Sequence, residues 1–278
     1  MQTFTDLMRL KPLSDDRFEA PIAPEPSDRM FGGQFLAQCL RAAQMTLPGD
    51  REVHSLHAYF LRPGDVELPS EIQVDRVRDG RGFSSRMVAA HQQGKEMFRM
   101  LTSFQVPAAG LQYTDGDMGA APEPESVAMT YNAFTEAATP DLEGPWPGAA
   151  RPVDIRYINV PNAPPGEPVT EPQRMWMRID ETLSDDQHLH DSGMAYLADT
   201  TLVDHILLPH GKRWQDPAYE GASLDHAMWF HRRCRADEWL LYHQNVETTA
   251  GERGLASGRF FNRQGELVVS CMQEGLMR

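Results

Sequence analysis

The chain carries one construction twice. Arg81-Gly82-Phe83-Ser84-Ser85 recurs as Arg253-Gly254-Leu255-Ala256-Ser257, Gln93-Gly94-Lys95-Glu96 as Gln264-Gly265-Glu266, and His57-Ala58 as His226-Ala227, at separations of 172, 171 and 169 residues. Near-constant spacing in unbroken order is the mark of a duplicated module. A chain of 278 residues has room for two modules of ordinary size. Two similar halves, each with its own core, are therefore the frame into which the remaining features must fit.

The halves meet at a compositional break. From Leu101 to Ala150 there is no Lys or Arg, while Asp115, Asp117, Glu123, Glu125, Glu136, Asp141 and Glu143 supply half of the net charge of −14. Pro107, Pro122, Pro124, Pro140, Pro145 and Pro147 punctuate the same stretch, which reads as a solvated connector with a short helix near Glu123 to Ala137. The expected division is residues 1–107, an acidic Pro-rich linker at 108–150, and residues 151–278. The acidity opposes nonspecific binding of nucleic acid, and no run of eighteen apolar residues signals a membrane span. Cys39, Cys234 and Cys271 are odd in number and widely spaced, which argues against a disulfide framework or a zinc knuckle. With no basic-then-apolar leader at Met1 to Lys11, the chain is expected in the cytoplasm.

Within the first half, Phe31 to Leu47 reads as a helix whose polar residues Gln34, Gln38, Arg41 and Gln44 form one narrow stripe. A helix apolar on most of its circumference is buried on most sides. Strand-like segments follow at Val53 to Arg62, Glu71 to Arg78, Phe83 to Gln92 and Met97 to Val106. The second half repeats the order, with strands at Val153 to Val160 and Arg174 to Ile179, a helix from about Leu189 to Leu208, then strands near Leu224 to Arg232, Trp239 to Val246, Leu255 to Asn262 and Leu267 to Gln273. The class is α+β, a long helix with a sheet curled around it. A doubly wound parallel sheet needs helices between successive strands, and the connections are too short for them.

Asp199 sits on an apolar stretch of the second helix, with Ala195, Tyr196, Leu202, Val203 and Ile206 at helical spacings. Desolvation there raises a carboxylate's pKa and makes it a candidate base, set against a structural aspartate at a helix end. His188, His190, His205 and His210 lack metal-ligand spacing, and neither a Gly-x-Ser-x-Gly elbow nor a Gly-rich nucleotide loop occurs. No metal or cofactor is expected. Arg76, Arg78, Arg81 and Arg86, and again Arg232, Arg233 and Arg235, are candidate phosphate contacts or plain surface residues.

Specific stretches carry a resemblance. Phe31-Gly32-Gly33-Gln34, His54 to Asp65 (HSLHAYFLRPGD), Arg78 to Arg86, Glu171 to Arg178, Leu224-Asp225-His226-Ala227-Met228-Trp229-Phe230-His231 and Gln273 to Arg278 resemble the type II acyl-CoA thioesterases, which are double hotdog proteins. The resemblance implies two tandem hotdog domains, each a long helix wrapped by an antiparallel sheet, the sheets joined side by side. It implies hydrolysis of acyl-CoA by water held by Asp199, Ser223 and Gln273, the hydroxyl standing where a Thr is common. His57, Arg81, Arg86 and His226 are the expected substrate-binding residues, the partner is acyl-CoA, and a homodimer or higher homo-oligomer is expected. Ser223 as a nucleophile is disfavoured, because His226, three residues along a presumed strand, falls on the opposite face. The competing classes are a hydratase or dehydratase built on a His and carboxylate pair, and a noncatalytic acyl-CoA binder.

Overall fold

Both halves resolve into the same order of elements. The computed structural model describes residues 2–22, 29–114, 116–128, 130, 151–159, 166–213, 216 and 218–278. A one-turn helix α1 (Phe4–Leu7) and the hairpin β1 (Lys11–Ser14) and β2 (Arg17–Ala20) precede α2 (Gly32–Gln44) and the strands β3 (Glu52–Phe60), β4 (Ser70–Asp79), β5 (Phe83–Gln92) and β6 (Lys95–Gln105). The second half has β7 (Val153–Tyr157), β8 (Gln173–Ile179), α3 (Gln187–Ala198), a 3₁₀ segment (Val203–His210), then β9 (Gly221–Ser223), β10 (Asp225–Phe230), β11 (Leu240–Ala250), β12 (Arg253–Phe261) and β13 (Leu267–Met277). Sequence reading located eleven of these strands and helices within a few residues but gave no notice of α1, β1, β2 or the short β9.

The strands form one antiparallel sheet in the order β1-β2-β4-β5-β6-β3-β10-β13-β12-β11-β8-β7, with β9 pairing β13. This is a double hotdog, two helix-and-sheet units side by side. The seam is β3 against β10, where Ala227 lies opposite His57, Met228 opposite Leu56 and His226 opposite Ala58. The strand register makes Leu56 equivalent to His226 and Ala58 to Met228, one residue off the sequence match of His57 with His226. Leu56 thus faces Met228 as Ala58 faces His226, and the duplication appears as a local twofold relation centred on His57 and Ala227.

On the inner face, α2 and α3 pack antiparallel. The first turn of α2 meets the last turn of α3, since a Cβ on Gly33 would lie 2.8 Å from the Tyr196 carbonyl, and the last turn of α2 meets the first of α3 through Ser192 Oγ donating to Gln44 Oε1. Even the polar stripe of α2 is buried. Gln34 and Gln38 donate to the Pro21 carbonyl, Gln38 also to that of Leu7, so the N-terminal segment satisfies the amides that periodicity alone leaves facing outward.

The connector differs from its expected solvated state over residues 114–128. Trp176 Nε1 donates to the Pro122 carbonyl, Arg174 to those of Met118 and Ala120, and Arg156 to that of Pro124, while Met118, Ala121 and Val127 pack on Trp176, Trp239, Leu241 and Phe261. A strap therefore covers the outer face of the second half. Of the helix expected near Glu123 to Ala137, one 3₁₀ turn at Pro124–Ser126 is found, and residues 131–137 lie outside the described residues.

Candidate functional site

The helix carrying Asp199 stops at that residue. The expected helix from Leu189 to Leu208 is two pieces, because Asp199 is the C-cap of α3 and the chain resumes as the 3₁₀ segment from Val203. Thr200 Oγ1 turns back to the Tyr196 carbonyl, and Tyr242 Oη donates to the Ala198 carbonyl, so side chains rather than the next helical turn satisfy the end of α3. In the first half, residues 45–51 suffice to connect helix to strand. In the second the same connection takes residues 199–224, and Asp199 and Ser223 lie at its two ends.

The fold closes that loop against β13. Gln273 Nε2 donates to Asp199 Oδ1 at 2.5 Å and lies 2.9 Å from Ser223 Oγ, so the three side chains expected together are in contact. Ser223 is held there because β9 pairs β13, with Ser223 opposite Gly275. Gln273 is fully buried, and its Oε1 has no protein partner among the described residues. The amide thus orients the carboxylate with one end and keeps an acceptor at the other.

The first half completes the enclosure. Gly32, the first residue of α2, lies so close that a Cβ there would sit 2.6 Å from Asp199 Oδ2 and 2.8 Å from the Phe60 ring. No side chain caps this helix. The amides of Gly32 and Gly33 precede the first helical hydrogen bond, that of Gln34 N to the Phe31 carbonyl, and the helix dipole adds a partial positive charge at the same place. Sequence reading quoted Phe31-Gly32-Gly33-Gln34 as a motif and gave Gly32 no role; two adjacent glycines opening an apolar helix were the available signal.

His226 is beside the carboxylate. Its Nδ1 lies 3.6 Å from Asp199 Oδ1, and the ring is almost wholly buried. Burial opposes the charged ring, but Asp199 and Cys271 favour it, and the pKa is pushed up to about 9. The expectation that His226 faces away from Ser223 fails for a geometric reason. Ser223 and His226 lie on two different strands, β9 and β10, broken at Leu224, so counting alternation through the break is invalid. On the 3₁₀ segment, the Asp204 carboxyl is pushed up to about 8 by burial, with the Asp199 charge adding and Arg151 opposing.

Three expected substrate contacts are elsewhere. His57 is exposed on the outer face of the sheet, its ring edge-on to Trp229, whereas Asp199 lies on the inner face. A bulge between Val53 and Ser55 shifts the alternation of β3. Arg86 is fully buried and bonds Thr46 Oγ1, the carbonyls of Thr46, Arg78 and Ser85, and the Asp79 carboxylate, which leaves its guanidinium nothing for a phosphate. Ser84, Arg86, Val88 and Ala90 share one buried face of β5, a period-two signal that placed this arginine inside. Arg81 is exposed in the turn between β4 and β5, where Arg51 reaches the neighbouring Gly80 carbonyl, at the end where α2 finishes rather than where it begins. Arg232, Arg233 and Arg235 are engaged with Leu267 and Thr114, with Glu52, and with Asp185 and Asp237.

Comparison with known proteins agrees with this arrangement. A family model described as acyl-CoA thioesterase matches residues 149–276, and one described as acyl-CoA thioesterase N-terminal domain matches residues 23–105. Acyl-coenzyme A thioesterase 8 of Homo sapiens is 35% identical over 99% of this chain and 88% of its own length. Acyl-CoA thioesterase 2 of Haemophilus influenzae is 32% identical over 98% of this chain and 96% of its own. Among solved structures, acyl-CoA thioesterase II TesB2 from Mycobacterium marinum superposes with a TM-score of 0.79 at 35% identity, covering 99% of this chain and 96% of that one.

Proposed function

The chain belongs to the acyl-CoA thioesterase family and hydrolyses acyl-CoA thioesters, and from that premise we propose that Asp199 is the base, with Ser223 and Gln273 holding the water. The observation that carries this reading is the contact of Gln273 with both Asp199 and Ser223 in a largely buried cluster, with the Gln273 Oε1 acceptor unused by protein among the described residues.

The steps follow from the groups present. A thioester is already activated, so water needs orientation, loss of a proton and a stabilised oxyanion. Ser223 Oγ and Gln273 Oε1 fix the water, Asp199 accepts its proton, and the water oxygen bonds to the carbonyl carbon. Proton transfer to a positioned base is worth about 10² to 10⁴ in rate. The carbonyl oxygen, now negative, is met by the open amides of the first turn of α2 at Gly32 and Gly33. Collapse breaks the carbon–sulfur bond, and Asp199 returns its proton to the departing CoA sulfur. A hydratase would need an imidazole and a carboxylate both facing the substrate; His226 is sealed behind Asp199 and His57 is on the other side of the sheet.

Further elements belong to the same proposal. The units 1–107 and 151–278 act as modules joined by 108–150. A second copy of the chain covers the outer face at Tyr59, Leu101 and Trp229, where Tyr59 and Leu101 are 62% and 44% exposed. Three free cysteines accord with a reducing, cytoplasmic setting. The test of the central claim is thiol release from acyl-CoA esters of graded length and branching. The natural chain is expected to turn over, and folded Asp199→Asn to lose activity a hundredfold or more; a fully active Asp199→Asn removes Asp199 as the base.

A further inference from the structure

The two halves bury the same sheet positions behind opposite chemistry. In the first half, Val74 pairs with Val88 and Val88 with Met100. At the equivalent places in the second, Gln244 pairs with Gly258 and Gly258 with Cys271. Ile72 corresponds to Tyr242 and Leu56 to His226, and all these positions are buried in both copies. The row is apolar in the first copy and polar in the second.

The polar row is continuous, and it ends on Asp199. Gln244 Nε2 donates to Thr201 Oγ1, and Gln244 also bears on the Tyr242 hydroxyl. Tyr242 Oη donates to the Ala198 carbonyl and lies 3.2 Å from Cys271 Sγ. Cys271 and Asp199 are the two polar groups that bear on the His226 ring, by charge rather than by a hydrogen bond to its nitrogens. Gly258 makes the middle possible, since a Cβ there would fall 2.7 Å from Tyr242 Oη and 2.8 Å from Cys271 Sγ. Burying four polar side chains, His226, Tyr242, Gln244 and Cys271, where the sister half buries hydrocarbon is costly unless each is compensated. Such a row persists where it does something that hydrocarbon cannot.

We propose that His226 is a positioning residue for Asp199, its Nδ1 facing Oδ1 across 3.6 Å as a buried charge partner from the side away from the substrate, and that Cys271, Tyr242 and Gln244 form the row that fixes the imidazole and the last turn of α3. The proposal rests on Asp199 being the base. Gln273 donates to Oδ1 and the His226 ring faces the same oxygen at 3.6 Å, which leaves Oδ2 beside Gly32 to take the proton from water. A charged ring at this distance favours negative charge on Oδ1. Burial lowers the ring's own pKa, yet the two partners raise it to about 9, so it remains charged through neutral pH. Cys271 is no nucleophile here, because it lies behind the ring and is buried against Tyr242 and Gly258.

Removing His226 leaves the carboxylate with Gln273 as donor and the Asp204 carboxyl as neighbour, and its aim should change. The other elements packed on it bring no opposing charge: α2 and β3 contribute Gly32 and Phe60, β9 contributes Ser223, and β13 and β11 bring Cys271 and Tyr242. Arg151 bears on Asp204.

The experiment compares His226→Leu, His226→Gln and Tyr242→Phe with the natural chain, each checked for folding by circular dichroism and thermal melting. For His226→Leu, kcat falls by about ten- to a hundredfold, the scale of a misplaced reacting group, with KM changed less than threefold. The acid limb of its kcat/KM profile moves to higher pH by about one unit, because the carboxylate has lost a charged partner. His226→Gln, which keeps a polar N–H, recovers part of both, and Tyr242→Phe loses several-fold in kcat. A folded His226→Leu with natural kcat, or with lowered kcat and an unmoved acid limb, overturns the proposal; if that variant does not fold, the acid limb of His226→Gln and Tyr242→Phe decides in the same way. If Asp199→Asn proves fully active, the base reading itself has failed, which is a separable result.

Discussion

In the N-terminal half the cavity between helix and sheet is filled by Leu56, Ile72, Val74, Val88 and Met100; in the C-terminal half the same cavity holds His226, Tyr242, Gln244, Gly258 and Cys271. The backbones repeat and the interiors do not. A second difference lies in the loop after each helix, which is short at residues 45–51 and long at 199–224. The long loop brings Asp199 and Ser223 to β13. On the proposed assignment of the site, function was localised by changing one copy's interior and one copy's loop. The other copy was not left idle, because α2 brings Gly32 against Asp199 Oδ2.

This contrast can be broken most strongly at Asp199. Asp199→Asn should lower kcat by about 10² to 10⁴, whereas Thr102→Val, at the first-half position matching Gln273, should leave it within about twofold, both read from thiol release. Next in size is an attempt to write second-half chemistry into the first. Leu56→His buries an imidazole with no partner row, and about 2–4 kcal/mol of stability should be lost in urea unfolding. A preserved midpoint would mean that the first-half interior is more forgiving than its packing indicates.

The interface between the halves gives a pH-dependent case. Asp191 on α3 is buried against Gln44 and Gln187, and burial pushes its carboxyl up to about 7. The unfolded chain ionises it near 4, so the folded state loses stability as pH rises from about 4 through 7. Asp191→Asn should therefore stabilise the protein by about 4 kcal/mol at pH 8 and leave it unchanged at pH 4; the same shift in melting at both values would exclude ionisation as the cause.

A smaller effect tests the first half's contribution to the site. Gly32→Ala forces a methyl against Asp199 Oδ2 and Phe60, and kcat should fall about tenfold with little change in melting temperature. An unchanged kcat would make the site the property of the second half alone. Smallest is the strap. Trp176→Phe removes the donor to the Pro122 carbonyl while keeping most of the packing, for a loss of about 1 kcal/mol and faster proteolysis between residues 107 and 122.

Much of this was legible in sequence. The duplication, the buried helix and most strands were readable because spacing and alternation are local, and the resemblance supplied Ser223 and Gln273, which nothing local singles out. Asp199 was found by its apolar neighbours, yet it ends a helix rather than lying within one, since its capping depends on Tyr242 from a distant strand. His57 was misplaced because a bulge is invisible to strict alternation. Arg86 was mistaken for a surface cation although its phase on β5 matched buried neighbours. The polar row was also in phase, Tyr242 with Gln244 and Cys271 with Gln273, but its meaning emerges only when the two copies are laid against each other.

The seam between β3 and β10 pairs Leu56 with Met228 as it pairs His226 with Ala58, the exchange of contacts expected of two identical subunits sharing an edge. Two separate identical chains would have to carry the same residue at every equivalent place, so a buried histidine or tyrosine adopted for chemistry would be buried twice. Covalent linkage removes that constraint. One copy is free to specialise while its sister mutates toward hydrocarbon, and the sister's well-packed interior then steadies a sheet that the working copy shares.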